Sequence, residues 1–479
     1  MKIKTWQYIV FGLMALGAIG LLALNAWMTP YDLKTEQAAA RAAGLQLSKA
    51  EFARPKPPAH QDAQPDWLAL VEYLNQRPMD TEALELAMGR GRGMPAEAMP
   101  EVRRLLRERA DLVARVHRAA AKPHAYVEHE FDAHQLFFHY AKMREATKLL
   151  RWEGQLLARE GQYAKAVRTM ELGLNMSDQL AKEPRLLGTL VSLNINSMST
   201  SGMEDILHQA GPNARVAALV EQALRRHPIQ TTLALSLKGE ALFGVLTIRS
   251  LNSPDQISAL TGGTSGRAMV YGSTNSRFRH ALWASNEAAW LHWMTRQYQV
   301  AQLPRPKRKA AWEKVTSDIV AKSKTRSPSM IFTSKLMPAY GKADTRIIQH
   351  KARHSVTLAA ADVLAHRDRT GQWPKSLLEA TPKPPNDPFT GRAVGYRREP
   401  NGFVVFSAGE SGTFAAKSGQ PEKGQTLFRY PRPISMVAPP APSAVGGPPM
   451  PGGHPMPGGP PLPDVPSMPG GPPMPGEAP

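Results

Sequence analysis

The densest set of side chains able to do chemistry lies between Lys122 and His139, in KPHAYVEHEFDAHQLFFH. His124, Glu128, His129, Glu130, Asp132, His134 and His139 offer imidazole nitrogen and carboxylate oxygen, the donors of zinc sites and metal-assisted hydrolysis. The spacing argues against the commonest such site. His129-Glu130 is followed by His134, one residue past the second ligand of a helical His-Glu-x-x-His motif. Five-residue steps also spread His129, His134 and His139 around a helix instead of aligning them on one face. His124, His129, Glu130 and His134 are therefore weak metal candidates, and a loop-to-helix junction with surface histidines is the plainer reading.

Other catalytic patterns are missing. Thr261–Gly266 is glycine-rich but lacks the Gly-Lys-Ser/Thr that completes a phosphate loop, and Gly89–Gly93 lacks the strand and spacing of a dinucleotide loop. There is no Gly-x-Ser-x-Gly elbow. Cysteine is absent, which excludes disulfides, thiolate ligands and a cysteine nucleophile. The sequence assigns no catalytic residue and no cofactor.

The elements that would position this cluster begin at once. Residues 135–210 carry the strongest helical signal: Leu149, Leu150, Trp152, Leu156 and Leu157 recur at helical steps, and Gly161 ends that run. Tyr163, Ala166, Val167, Met170 and Leu174 restart it on a second helix, which stops at Lys182-Glu183-Pro184. Gly154, Gly161, Tyr163, Ala166 and Leu174 stand at the offsets of one tetratricopeptide unit, although no second copy follows. Further helices are predicted over Thr81–Met88, Ala96–Ala120, 185–209, from Pro212 or Asn213 to His227, 230–250, 279–300 and 345–369, with Asp66 capping another. Trp283, Trp290 and Trp293 form a core stripe on one of them.

No charged residue stands between Lys4 and Asp32, and Tyr8–Met28 has the length and apolarity of a transmembrane helix flanked by Trp6 and Trp27. Lys2 and Lys4 place the N-terminus in the cytoplasm. A signal peptide cut after Ala26 is the rival, disfavoured by the bulky Trp27-Met28 that would follow the cut. The formal charge is +19, and because the segment after Arg432 holds only Asp464 and Glu477, the rest is two charges more positive still. Such a balance favours anionic lipid or polymer, and the basic 303–326 segment is its natural contact. Lacking interleaved aromatics, that segment predicts no nucleic-acid binding.

The C-terminal third changes character. Gly371, Trp373-Pro374 and Asn386-Asp-Pro-Phe-Thr-Gly391 are turn chemistry, Ala393–Arg398 and Gly402–Ser407 predict a hairpin, and Thr426–Tyr430 a third strand. Beyond Pro433, recurring Met-Pro-Gly without a three-residue glycine period predicts a disordered tail. The order ADVLAHRDRTGQWP, PNDPFTG, YRR and NGFVVFSAGESG resembles the soluble end of the major pseudopilins of type II secretion systems. With the preceding HYAKMREATKLLRWEGQLLAREGQYAKAV it is similar to a family of uncharacterised bacterial envelope proteins. The resemblance covers roughly residues 135–412. A pseudopilin head carries calcium ligands after its Ser-x-Gly, where this chain offers only Glu410.

The expected architecture is mainly α: cytoplasmic N-terminus and anchor (1–28), juxtamembrane linker with a short helix at Gln37–Ala50 (29–65), helical repeat-like domain (66–344), pseudopilin-like helix plus β-hairpin module (345–432) and tail (433–479). The expected function is a non-catalytic scaffold, single-pass in the inner membrane with its bulk in the periplasm, whose partners are envelope or secretion-system proteins. The alternative is a metal-dependent hydrolase of envelope polymer, acting through residues 124–139. A reporter active only outside the cytoplasm, fused after Arg432, should be active and membrane-bound. Release of a soluble form starting near Trp27 would show a cleaved signal peptide instead.

Overall fold

A computed structural model describes residues 31–79, 94–128, 131, 138–251, 276–325, 327–337, 340–412 and 425–432. The span Tyr8–Met28, the helix expected at Thr81–Met88, the glycine-rich 261–266 stretch and the tail after Pro433 lie outside the described residues. Among the described residues, no helix is long and apolar enough to cross a membrane.

The chain is mainly helical, with one small antiparallel sheet near its C-terminus. Helices α1 (Leu33–Ala43), α2 (Gln64–Gln76), α3 (Met99–Glu108) and α4 (Ala110–Ala121) come first. Then α5 (Phe138–Arg159), α6 (Tyr163–Ala181) and α7 (Leu186–Ala210) fold against one another. They are followed by α8 (Ala214–Arg226), α9 (Leu233–Ser250), α10 (Ser276–Gln302), α11 (Arg305–Lys324), the single turn α12 (Thr333–Leu336), α13 (Tyr340–Thr370) and the single turn α14 (Leu377–Ala380). Strands β1 (Gly395–Glu399), β2 (Gly402–Phe406) and β3 (Leu427–Tyr430) pair in chain order.

Small residues set the α5–α6–α7 packing. Ala166 is fully buried, and a Cβ added at Gly154 would lie 3.5 Å from the Ala166 carbonyl. Added at Gly173 it would run into Ser199 of α7, and at Gly202 into Met170 of α6. The helices therefore approach closely enough for backbone-to-side-chain contact. Gly161, with φ of 75°, closes the turn between α5 and α6, where an L side chain would be strained.

Two apolar clusters form the core. One joins α2 to α8 with the second half of α13 and the sheet, and the other joins α1, α9, α10, α11 and the start of α13. Helix α13 enters both, through Tyr340, Ala343 and Ile347 at its start and Val356 to Ala365 further on. The C-terminal module shares this core. His208 of α7 stacks on Phe428 at 4.3 Å, and Trp373 packs on Phe403 at 5.4 Å and Tyr430 at 5.7 Å.

Several local expectations shift. The 29–65 segment carries α1, which starts at Leu33 because Asp32 caps it through Thr35 N at 2.8 Å; its Ala40 is buried in the second cluster. Helix α2 begins at Gln64, before Asp66, with Asp62 accepting from Gln64 N at 3.0 Å. The single helix expected at Ala96–Ala120 breaks at Arg109. The basic 303–326 segment forms α11 over Arg305–Lys324, which buries Trp312 and Val315 and exposes only part of its circumference.

In the module, Asp387 is fully buried; its carboxylate accepts from Phe389 N at 2.9 Å and Ala408 N at 2.7 Å. That ties the Asp-Pro-Phe-Thr-Gly turn to the end of β2. Gly391 completes the turn at φ of 72°. Asp387→Ala leaves one buried and one half-buried N–H group unpaired and should cost about 1–3 kcal/mol. Gly391→Val should destabilise by about 1–2 kcal/mol, since a β-branched residue is forced into the left-handed region. Denaturant titration of both variants checks this; midpoints equal to the parent's would mean the turn does not hold the sheet.

Candidate functional site

Three prolines decide the shape of the surface around His124. Pro55, Pro57 and Pro58 hold Arg54–Pro58 extended, because each fixes φ and removes a donor. The chain then turns at Ala59–Gln61 and meets residues 123–126 in a single parallel bridge between Asp62 and His124. His124 N donates to Gln61 O at 3.2 Å, and Ala63 N donates to His124 O at 2.7 Å. Asp62 also accepts from Tyr126 N at 2.9 Å.

The floor is fixed from α6. Buried Gln179 donates to Ala119 O at 3.0 Å and Lys122 O at 2.7 Å, while its oxygen accepts from Trp67 Nε1 at 2.9 Å. Arg54 donates to Lys182 O at 3.0 Å, pairs with fully buried Glu183 at 3.2 Å, and lies 5.9 Å from the Tyr126 ring centroid. The result is an open groove of about 450 Å³ between the proline segment, residues 123–126 and the end of α6.

Its charge is one-sided. Arg54, Lys56 and Lys182 line it, and Lys56 and Lys182 are exposed. The carboxylate in the lining, Asp178, is held by His227 Nδ1 at 2.6 Å, and the other imidazole nitrogen lies 3.6 Å from Glu171. The lining holds no serine, threonine or cysteine that His124 would activate. Its chemistry is that of a cationic trough with an aromatic face, suited to an extended acidic chain.

The sequence-predicted metal candidates divide. His124 lines the groove, whereas His129, Glu130 and His134 lie outside the described residues. Of the rest of the cluster, His139 is buried on α5 with its ring edge-on to Tyr140 at 4.5 Å, and Glu128 is exposed. Among the described residues, no group of three or more acidic or histidine side chains is arranged to hold a metal ion.

Sequence reasoning missed a second polar centre, inside the protein. Glu204 accepts from Arg353 of α13 at 2.8 and 2.6 Å and from Thr357 at 3.0 Å. Its neighbour Asp205 accepts from Gln155 of α5 at 2.8 Å and from Arg432, just after β3, at 2.8 Å. A signal was present: two adjacent acids interrupt a helix, 186–210, that has no other. Comparison with known proteins adds nothing to these observations: no family model, curated protein or solved structure matches the chain.

Helix α13 also carries shifted titrations. Burial depresses His350 and His354 to about 4, Arg353 and Arg346 adding to the effect at His350. Their contribution to stability is present above the usual 6.5 and is lost as pH falls through about 4. Asp362 has the opposite sign. One of its oxygens is buried without a hydrogen-bond partner. Burial, reinforced by Glu221 of α8, pushes the group up from 3.8 to about 7. Its neutral form stabilises the fold at low pH, and that contribution is lost as pH rises through 7. The thermal advantage of Asp362→Asn over the parent should therefore grow between about pH 4 and about pH 7 and then level off. A difference that does not change with pH would remove Asp362 as its source.

Proposed function

We propose that the chain is a non-catalytic interaction protein of the bacterial envelope, held in the inner membrane by residues 8–28 with its body in the periplasm. The groove at Arg54–Pro58 and residues 123–126 is its docking site for an extended, acidic partner segment. The observation that carries this reading is the groove's lining of Arg54, Lys56 and Lys182 around Tyr126 and three prolines. A preformed trough of this kind takes extended chain with little ordering of its own.

Two further features support the envelope setting. The uncharged Tyr8–Met28 span has the length of a membrane helix. The C-terminal helix, Trp-Pro turn, Asp-Pro-Phe turn and antiparallel strands follow the order that the pseudopilin resemblance implies. A partner from a type II secretion-like machine is consistent with that resemblance. The packing of the module into the helical body departs from a free pseudopilin head, so the chain is read as a companion of such a machine and not one of its fibre subunits.

The test is a peptide of alternating glutamate and proline, labelled for fluorescence anisotropy, against the full chain in neutral detergent. It should bind, weaken as salt rises from about 50 to about 300 mM, and lose about tenfold or more in affinity in the Lys56→Glu/Lys182→Glu variant. Equal binding of a lysine–proline peptide, or a variant as tight as the parent, would sink the proposal.

A further inference from the structure

The first turn of α11 is where the charge of this basic helix is least compensated. Trp312 Nε1 and an Arg308 Nη both donate to Asp344 of α13, each at 3.2 Å. A Cβ on Gly341 would lie 3.3 Å from that of Trp312. Reading back along α11 from Trp312 through Arg308 to Arg305 therefore means reading forward along α13 from Gly341 through Asp344. The helices run antiparallel at this contact, and equal steps from the Trp312–Gly341 contact bring Arg305 opposite Ile348. Lys351 is one turn further on and shares the Asp344 face.

Arg305 and Lys351 are both half-buried, and neither side chain makes a hydrogen bond or ion pair with a described residue. Burial lowers Arg305 to about 10, Arg308 adding repulsion, and burial with Arg305 and Arg308 lowers Lys351. The nearby carboxylates are engaged: Asp344 by Arg308 and Trp312, and Asp387, the more distant acid acting on Arg305, by two backbone N–H groups. Three cations thus meet two carboxylates that are already engaged, leaving a surplus on Arg305 and Lys351 that water only partly screens.

We propose that Arg305 and Lys351 form a binding site for a phosphoryl oxyanion between α11 and α13. A planar guanidinium and a point-charge ammonium together match the tetrahedral oxygens and multiple charge of such a group. A phospholipid headgroup and free phosphate share this chemistry. The site lies on other elements than the groove and stands whether or not the groove has a partner.

The experiment is thermal denaturation of the full chain in neutral detergent, with inorganic phosphate in one arm and short-chain, water-soluble phosphatidylglycerol in the other. Sodium chloride at matched ionic strength is the reference. The parent should melt higher than in chloride in at least one arm. A rise with inorganic phosphate identifies a soluble-anion site, and a rise with the lipid alone identifies a headgroup site. Arg305→Gln and Lys351→Gln should each need about tenfold more anion for the same rise, a charge-assisted bond being lost. Without anion, each should melt at the parent's temperature or above it, because a repulsion has been relieved. No rise beyond chloride, an undiminished response in both variants, or variants that melt lower without anion would each overturn the site.

Discussion

Two adjacent carboxylates in the last two turns of a buried helix hold this structure together. Glu204 and Asp205 are almost wholly buried, and ionised carboxylates in such a place cost several kcal/mol each unless paired and hydrogen-bonded. Arg353 reaches Glu204 with two bonds and adds Ser197 at 3.3 Å and Ser201 at 3.1 Å, so one guanidinium fixes the register of α13 on α7. Asp205 gathers Gln155 from α5 and Arg432 from beyond β3. Removing one partner of a buried pair typically costs about 3–5 kcal/mol because the other charge is stranded. An apolar replacement of both would lose less stability, so what the pair supplies is a unique arrangement of α5, α7, α13 and the end of the sheet.

That arrangement explains why α7 tolerates so much polarity. It is surrounded by α5, α6, α8, α9 and α13, and its serines and threonines bond inward. Ser192 exchanges hydrogen bonds with Ser177 at 3.0 Å, and Thr189 meets Ser236 at 2.5 Å. Small hydroxylated residues let helices approach while satisfying their own polar atoms, which a leucine-rich helix of the same length does not do. Both apolar clusters draw residues from α7 and α13, and the sheet closes the end of the first one.

The parts legible in the sequence were those governed by local rules. The 3.6-residue period placed α5 and α6; glycine, proline and asparagine punctuation placed the start of α8, the end of α13 and the hairpin. Asn213 caps α8 by accepting from Val216 N at 3.0 Å. The two-residue turn Pro400-Asn401 has Gly402 as the next strand residue, where β3 passes so close that a Cβ would strike Tyr430 O. What stayed hidden depends on distant partners. The break at Arg109 has no glycine or proline to announce it. The groove joins residues 54–58, 123–126 and 178–182, which no window spans. The partner of Glu204 stands 149 positions away. The histidine cluster drew attention by composition, yet of its four metal candidates only His124 lies among the described residues, serving as a groove wall.

The excess of positive charge now has an internal logic. Five buried carboxylates are each held by an arginine: Glu240 by Arg185 at 3.0 Å, Glu287 by Arg249 at 2.6 Å, Asp344 by Arg308, Glu204 by Arg353 and Asp205 by Arg432. Acids are thereby consumed in the interior. The surplus is displaced outward, onto Lys56 and Lys182 at the groove and onto Arg305 and Lys351 between α11 and α13. Were the basic character a uniform solvated surface, the unpaired cations would be scattered and exposed. Arg305 and Lys351 instead keep their charges half-buried and within electrostatic reach of each other, a position that costs stability in the absence of an anion. A fold that engages its buried carboxylates with arginines and leaves these two half-buried cations without an ion pair among the described residues has placed its charge where a ligand, and not the protein, completes the neutralisation.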